Sequence, residues 1–435
     1  MNKDFIAENL TAENDALVFG GANVSALAQK YGTPLYLMDE DRIRARCKEY
    51  LTALQAEFGR NCKVLYASKA CSFKQIYRII KEEGLGADVV SCGEIYTCKA
   101  AGFDLGNAFF HSNNKTDEDI AYAIEAGIGY FVIDGEEELL AISRIAKEKG
   151  VIQKVLLRIT PGIDPHTYAA VATGKVDSKF GCPIETGKAE AVIKLALSTP
   201  SVTLVGLHCH VGSQVFEPDV YLQTVQIMTA FMAQMYQKYA YVTEILDLGG
   251  GFGVRYTASD PALKIAENVR VVARAVKEEC AALGLSLPTL CLEPGRSIVA
   301  DSGITVYTVG AVKKIEGYKN YVSVDGGMTD NPRFALYGSS YTVLPVNNLS
   351  APRDMVCSVV GRCCESGDIL QENVPLPADV KRGDKICVLT TGAYNYSMAS
   401  NYNRLPRPPV VMVKGGMDYL AVKRERLEDL VQNDL

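Results

Sequence analysis

Short apolar runs alternate with longer helical patterns eight times between about residues 36 and 300, and this alternation constrains the fold most strongly. The runs lie at 63–67, 86–90, 108–110, 129–133, 154–159, 202–207, 244–248 and 289–292. In the intervening stretches, such as 116–126, 136–149, 186–197 and 262–283, apolar residues recur every three or four positions. Parallel strands linked by crossover helices show this pattern. Eight such units predict an α/β fold, a (β/α)₈ TIM barrel.

The pattern changes after about residue 301. Runs at 304–309, 321–324, 355–360, 385–389 and 410–413 are separated by Gly, Asp and Pro turns, without crossover helices. This arrangement predicts an antiparallel β domain, to which the apolar run at 16–19 could add a strand. In a chain of 435 residues we therefore expect a barrel over 36–300 and a β domain formed by 1–35 and 301–435.

Composition narrows the class of partner. The formal net charge of −6 and the pI near 5.5 disfavour nucleic acid and anionic membranes, which leaves a small molecule as the expected partner. The thirteen cysteines are scattered and lack zinc-type spacing, a pattern that favours reduced thiols and a cytoplasmic location. The first residues contain no apolar secretion signal, and no run of about 18 apolar residues predicts a membrane span.

Polar and reactive residues follow the ends of the predicted strands. Lys69 follows the first run, Asp88 lies in the second, and His210 follows the sixth. A glycine run at 249–251 follows the seventh, and Glu293 follows the eighth. Because active sites of (β/α)₈ barrels form at the C-terminal ends of the strands, this rim is the expected site.

Three of these features together suit a phosphorylated aromatic aldehyde. The Lys69 amine can form a Schiff base, and Gly249, Gly250 and Gly251 can offer backbone N–H groups to a phosphate. The Glu293 carboxylate can keep a pyridine nitrogen protonated. Taken singly, a solvated lysine and a tight glycine turn are commoner explanations. The combination predicts a pyridoxal-phosphate site, and the glycine run lacks the GxGxxG spacing of a dinucleotide site.

Eight motifs, in order over nearly the whole chain, resemble those of the diaminopimelate decarboxylase family in the alanine racemase-like class of pyridoxal-phosphate enzymes. They are "YASKA", "HSNNKT", "HCHVGSQ", "LGGGFG", "EPGR", "DNPRFALYG", "CESGD" and "GAYNYSMASNYN". The resemblance implies decarboxylation of meso-2,6-diaminopimelate at its D centre to L-lysine, the last step of lysine biosynthesis. It also implies a head-to-tail homodimer in which the β domain of each subunit completes the other subunit's active site.

The same resemblance assigns roles to individual residues. As cofactor-binding residues it implies Lys69, Asp88, His210, Ser213, Gly249, Gly250, Gly251, Glu293, Arg296 and Tyr394. As substrate-binding residues it implies Arg296, Arg333, Tyr337, Glu365 and Tyr394, and Cys364 joins Lys69 as a catalytic residue that donates a proton in the partner's site. Whether Arg296 contacts the phosphate or a substrate carboxylate stays open. No metal is expected, because no third ligand is suggested near His208 and His210.

Two alternatives remain. Related decarboxylases of ornithine, arginine or carboxynorspermidine share the fold, and they would be favoured by an aspartate in place of Glu365 and by loss of Arg333. A non-catalytic cofactor-binding regulator or carrier would be favoured by loss of the lysine, of Cys364 or of the second domain, all of which the chain keeps. Ser112 and Cys92 stand where the family commonly has glycine, so the details of their loops stay open.

Overall fold

The computed structural model describes residues 5–163, 178–262 and 264–435. The strands, in chain order, are β1 (Leu10–Glu13), β2 (Ala16–Phe19), β3 (Ala22–Asn23), β4 (Leu35–Asp39), β5 (Cys62–Ala67), β6 (Gly86–Val89), β7 (Ala108–Phe110), β8 (Tyr130–Ile133), β9 (Gln153–Thr160), β10 (Cys182–Pro183), β11 (Val202–Cys209), β12 (Ile245–Asp247), β13 (Thr289–Leu292), β14 (Gly303–Ile315), β15 (Lys319–Val324), β16 (Val343–Pro345), β17 (Met355–Val360), β18 (Ile369–Leu376), β19 (Lys385–Val388), β20 (Val410–Lys414) and β21 (Met417–Val422).

The α-helices are α1 (Val24–Tyr31), α2 (Glu40–Phe58), α3 (Lys74–Glu82), α4 (Cys92–Ala100), α5 (Asp117–Ala126), α6 (Glu136–Glu148), α7 (Lys188–Ser198), α8 (Pro218–Tyr239), α9 (Ile265–Ala282), α10 (Arg296–Val299) and α11 (Arg333–Tyr337). In the described parts of the chain, none of them is both long enough and apolar enough to span a membrane. Local signals set some of the helix bounds. Thr116 and Asp119 form a capping box at the start of α5, and Gly127, with φ of 84°, ends it.

Eight parallel strands close into a barrel. β5, β6, β7, β8, β9, β11, β12 and β13 pair in that order, and β13 pairs back with β5. These strands coincide with the eight apolar runs, so the predicted (β/α)₈ barrel is confirmed. Buried residues from seven of the strands pack together and hold them in place: Leu65, Phe109, Val132, Leu156, Val205, Ile245 and Cys291.

The later strands form a second, mostly antiparallel sheet, as predicted. Its order is β18-β17-β15-β14-β4-β20-β21. Outside this path, β19 pairs with β14, and β16 pairs with β19. Two pairs are exceptions, because β15 runs parallel to β17 and β4 runs parallel to β20. The core of this sheet is apolar and includes Leu35, Leu37, Ile304, Val306, Val411 and Val413.

The N-terminal segment contributes differently from the prediction. The run at 16–19 is β2, which pairs with β1 and β3 in a separate three-stranded sheet. It is β4 that enters the large sheet, between β14 and β20, and all of its residues are buried. An unbroken apolar run is typical of any strand covered on both faces, so sequence could not assign β4 to this sheet rather than to the barrel.

The chain divides into two compact units. One, which we call the β unit, comprises residues 1–45, 254–262 and 296–435. The other, which we call the barrel unit, comprises residues 46–253 and 263–295. The predicted domains, 36–300 on one side and 1–35 with 301–435 on the other, have different bounds and stay a prediction.

Candidate active site

The predicted site residues fall into two groups, one in each unit. The barrel unit holds Lys69, Asp88, His210, Ser213, Gly249, Gly250, Gly251 and Glu293. The β unit holds Arg296, Arg333, Tyr337, Cys364, Glu365 and Tyr394.

Lys69 follows β5 at the C-terminal end of the barrel strands. Ser68–Ala70 form a 3₁₀ turn in which the flanking residues Ser68 and Ala70 are fully buried. The Lys69 side chain is exposed. Buried neighbours fix the backbone, while the amine stays accessible, as a lysine that reacts with an aldehyde requires.

Two histidines flank the buried carboxylate of Glu293, which follows β13. His111 Nε2 lies 2.7 Å from Glu293 Oε1, and His208 Nε2 lies 3.1 Å from Oε2. Burial opposes ionisation, but the two histidines hold the pKa of Glu293 well below its usual range. Glu293 is therefore an anion at the C-terminal end of β13, the eighth barrel strand.

His208 and His210 are uncharged near pH 7. Burial lowers the pKa of His208 to about 4, so its uncharged ring can donate Nε2–H to Glu293. Burial, and next the charge of Lys69, lower the pKa of the half-buried His210 well below its usual range. Its Nδ1 accepts a hydrogen bond of 3.3 Å from Gly250 N. His210 thus presents a flat, uncharged ring, suited to stacking on an aromatic group.

The glycine run after β12 lies too close to its neighbours for side chains. A Cβ on Gly250 would lie 2.1 Å from Glu293 O, and one on Gly251 would lie 2.4 Å from Gly212 O. Gly249 and Gly251 also have φ of 69° and 101°, which side chains disfavour. Close packing against neighbouring backbone, together with the backbone conformation, therefore explains why these positions are glycine.

Two N–H groups of this run are already used within the protein. Gly249 N donates to Asp247 Oδ1 at 2.8 Å, and Gly250 N donates to His210 Nδ1. Ser213 is half-buried in the loop after β11. A phosphate contact by the glycines or by Ser213 stays a prediction.

Further charged groups surround the histidine pair. Asp88 Oδ1, in β6, lies 3.7 Å from His111 Nε2, and burial raises the pKa of Asp88. Burial also lowers the pKa of Arg158 in β9, and its charge favours ionisation of Asp88 and Asp134. Sequence reasoning missed His111 and Arg158 as neighbours of Glu293. The sequence signal that could have identified both residues is their position as polar residues at the ends of apolar strands.

The geometry corrects one argument about metals. Donor atoms of His111, His208 and Glu293 lie within 4.8 Å of one another, a ligand set of the type that zinc uses. No metal was expected because no third ligand was suggested near His208 and His210. That reason is wrong for His208. Both carboxylate oxygens already face histidine nitrogens. The expectation of no metal stays a prediction.

The two positions where the chain departs from the family pattern are structurally distinct. Ser112 has φ of 142°, a conformation that favours glycine. Its carbonyl accepts a hydrogen bond of 3.1 Å from the buried Lys115, which holds the loop in place. Cys92 begins α4, and its thiol donates to Asp119 Oδ1 at 3.1 Å. Only Ser112 therefore introduces backbone strain beside His111.

In the β unit, two buried arginines share one tyrosine ring. Cζ of Arg296 and of Arg333 lie 4.7 and 5.0 Å from the ring centroid of Tyr394. Arg296 also donates to Tyr256 OH at 2.8 Å, and Arg333 lies 5.0 Å from the Tyr337 ring. Within the described residues, Arg333 Nε has no hydrogen-bond partner. Guanidinium groups bind planar anions through paired N–H donors, so this cluster suits a carboxylate or a phosphate.

Tyr394 adopts a conformation that is rare for tyrosine. Its φ is 61°, in the left-handed region. The next residue, Asn395, is fully buried and donates from Nδ2 to Thr391 O at 3.1 Å and to Ala393 O at 3.4 Å. These bonds hold the strained turn that carries the ring close to both arginines.

Cys364 and Glu365 lie on the loop between β17 and β18. Both side chains are exposed, and Cys364 N donates to Asn403 Oδ1 at 2.7 Å. The preceding Cys363 differs, because burial and the nearby Asp368 raise the pKa of its thiol to about 12. Cys364 is therefore the accessible thiol of the pair.

Known proteins are similar to this chain over nearly its full length. Residues 40–300 match the family model "Pyridoxal-dependent decarboxylase, pyridoxal binding domain". The diaminopimelate decarboxylase of Bacillus subtilis (strain 168) is 44% identical over 419 residues, which cover 96% of this chain and 95% of that protein. The diaminopimelate decarboxylase of Staphylococcus aureus (strain COL) is 40% identical and covers 97% of this chain and 98% of that protein.

Solved structures agree with the sequence matches. The diaminopimelate decarboxylase of M. jannaschii in complex with L-lysine has a TM-score of 0.90 and 32% identity, covering 100% of this chain and 99% of that one. The Helicobacter pylori diaminopimelate decarboxylase complexed with L-lysine has a TM-score of 0.85 and 30% identity, covering 94% and 98%. The resemblance noted in the motifs is confirmed. Identities of this size over nearly the whole length show that the chain belongs to the diaminopimelate decarboxylase family of pyridoxal-phosphate-dependent enzymes.

Proposed function

We propose that this protein is a carboxy-lyase that decarboxylates meso-2,6-diaminopimelate at its D centre, giving L-lysine and carbon dioxide, the last step of lysine biosynthesis. The observation that carries the proposal is the accessible Lys69 on the same barrel rim as the ionised Glu293. Relatives named for this activity cover nearly the whole chain, and two of the solved ones bind L-lysine, the expected product.

Residues of the barrel unit fit pyridoxal phosphate. When bound, the cofactor supplies an aromatic ring that accepts the electron pair left on the substrate when carbon dioxide departs. Lys69 can bind its aldehyde, His210 offers a ring to stack on it, and we assign its phosphate to the glycine run at 249–251. Glu293 Oε1 lies 2.7 Å from His111 but outside hydrogen-bond geometry, so it retains capacity for a cationic N–H donor.

The β unit supplies the groups that act on the substrate. The exposed Cys364 thiol donates a proton to the α-carbon after carbon dioxide leaves. Glu365 is assigned to an ammonium group of the substrate, and its length, rather than that of an aspartate, favours diaminopimelate over ornithine. Lys69 holds the cofactor and, once released by substrate, acts as a base.

The arginine pair selects for a second carboxylate. Arg296 and Arg333 both lie close to the ring of Tyr394, and buried guanidinium groups bind carboxylates through charge-assisted hydrogen bonds. We assign this cluster, with Tyr337, to the distal carboxylate of diaminopimelate. Ornithine has no such group, and a decarboxylase acting on it gains nothing from two buried guanidinium groups.

Arg333→Ala is expected to lower kcat/KM for diaminopimelate by roughly 100-fold or more, because a charge-assisted contact is lost. Carbon dioxide release from meso-diaminopimelate, ornithine and arginine by the purified, cofactor-loaded enzyme measures this. Any turnover of ornithine should be unaffected by the change. Arg382→Ala is the matched control, since Arg382 is in the β unit and, among the described residues, its side chain donates only to Gly310 O. A wild-type preference for ornithine would replace the present proposal with the polyamine alternative.

We further infer that the active form is a homodimer in which Cys364 and Glu365 of one subunit serve Lys69 of the other. Mixing Lys69→Ala subunits with Cys364→Ala subunits, each strongly impaired alone, should then restore activity to roughly a quarter of the wild-type value. Half of randomly formed dimers are hybrids, each with one intact site of two. Hybrid dimers that form, as shown by two distinguishable tags, yet stay inactive would place the whole site within one chain.

We also infer a cytoplasmic location. The thirteen cysteines are scattered along the chain, and most are buried inside the two units. A reducing compartment suits a chain with this many scattered thiols.

A further inference from the structure

We propose that Asp368 is a positioning residue that holds the loop carrying Cys364 and Glu365 in its working shape. The inference rests on the proposed function, which gives Cys364 the role of proton donor. The loop runs from Gly361, after β17, to Asp368, before β18. Cys364 and Glu365 are exposed, whereas Asp368 is only 3% exposed. The buried carboxylate thus lies beneath two exposed functional side chains.

The Asp368 carboxylate accepts two short hydrogen bonds from backbone N–H groups of different segments. Oδ1 accepts from Met328 N at 2.6 Å, and Oδ2 accepts from Cys363 N at 2.7 Å. Such lengths are typical of charge-assisted bonds. The Asp368 carbonyl also accepts from Gly361 N at 2.9 Å, which closes the loop at its base. Because Cys363 directly precedes Cys364, the carboxylate fixes the peptide next to the reactive thiol.

Two glycines make room for this carboxylate. A Cβ on Gly361 would lie 2.2 Å from Asp368 Oδ2, and one on Gly327 would lie 2.6 Å from both oxygens. Neither glycine has a left-handed φ, so space rather than backbone conformation excludes a side chain at these positions. The two glycines therefore leave a space beneath the loop, which the Asp368 carboxylate fills.

A second side chain holds the next peptide. Cys364 N donates to Asn403 Oδ1 at 2.7 Å, so consecutive N–H groups, at Cys363 and Cys364, bind side chains from two different segments. Without these anchors an exposed loop would sample many conformations, and a proton donor would seldom face its target. Anchoring the backbone orders the thiol before the reaction and lowers the entropic cost of the proton transfer.

Asp368→Asn tests the proposal, because it keeps the shape but removes the charge and one acceptor. We expect kcat for lysine formation to fall about 30-fold or more, because a misplaced catalytic group lowers the rate. Cofactor affinity, followed by absorbance, should change by less than about twofold, since the cofactor residues lie elsewhere. Asp354→Asn is the matched control. Asp354 lies at the other end of β17, is exposed, and accepts from Ala378 N at 3.0 Å. Equal kcat values for the two variants would overturn the proposal.

A double-mutant cycle separates positioning from general support of the fold. If Asp368 acts through the thiol, Asp368→Asn should lower kcat less than about threefold in a Cys364→Ala background. Additive losses would show that Asp368 acts on something other than Cys364. Amide hydrogen exchange across residues 362–366 gives a readout without activity. Exchange there should be at least about tenfold faster in Asp368→Asn than in Asp354→Asn.

Gly361→Ala is the second variant, should Asp368→Asn fail to fold. Its methyl group would press on the carboxylate without removing it, and we expect the same faster exchange and lower kcat. Wild-type exchange across 362–366 as fast as in either variant would refute the anchoring. Exchange that changes as expected in an enzyme inactive on diaminopimelate would instead leave the anchor intact and refute the proposed function.

Discussion

Lys69→Ala is expected to lower kcat/KM by about four orders of magnitude or more, because the only proposed covalent anchor and base is lost. Carbon dioxide release measures the activity. Borohydride reduction of the wild-type holoenzyme, followed by peptide mass analysis, should place the cofactor on Lys69. Lys63→Ala is the matched control, since Lys63 lies in β5, the strand that Lys69 follows, and among the described residues its Nζ bonds only to the exposed Asn107 Oδ1, at 3.4 Å.

The labelling and activity results test the assignment independently. Reduction that attaches the cofactor to another lysine would reject Lys69, even if Lys69→Ala were inactive. A Lys69→Ala variant that still fixes the cofactor covalently on reduction would likewise reject Lys69 as the anchor. The control variant should keep both properties.

Glu293→Gln should lower kcat/KM on the order of 10²- to 10³-fold, because a neutral amide replaces the anion that the histidines stabilise. The ring nitrogen of the bound cofactor would lose its carboxylate, so its absorbance should also shift. Steady-state kinetics at saturating cofactor, together with the spectrum, would measure both effects. Glu244→Gln, in the exposed residue just before β12, serves as the control.

A Glu293→Gln enzyme with kcat/KM within about threefold of wild type would contradict this role. His208 offers a further test. Glu293 is the strongest influence that raises the pKa of His208, so removing its charge should move that pKa further below about 4. Proton resonances of the His208 ring, followed against pH, would show the change.

The barrel could be predicted from sequence because its signals are local. Each strand is a short buried run followed by a helix with its own periodicity, as at β7 and α5. The bounds differed by one to three residues, as at Gly187, whose φ of 76° makes α7 begin at Lys188 rather than at 186. The sheet to which β4 belongs could not be predicted from local sequence, because only its neighbours in space distinguish it from a barrel strand.

The charged cluster shows a different limit of sequence reasoning. The residues that follow each strand could be identified, and Glu293 among them, because strand ends share one rim. Which of them meet could not be predicted. His111, His208 and Glu293 follow or end β7, β11 and β13, strands that are not adjacent in the barrel. Their contacts depend on side-chain lengths and tilts across the barrel rather than on spacing along the chain.

The placement of β4 has a consequence for how the protein is made. Its partners in the sheet are Gly303–Val306 of β14 and Val410–Val413 of β20, both synthesised long after Leu35–Asp39 has left the ribosome. Throughout that interval an apolar strand has both edges unpaired, which is the condition that promotes aggregation of nascent chains. A chain released before residue 410 would leave one edge of β4 bare permanently. Translation must therefore run nearly to completion before this strand is protected, and chaperones have a defined segment to guard until then.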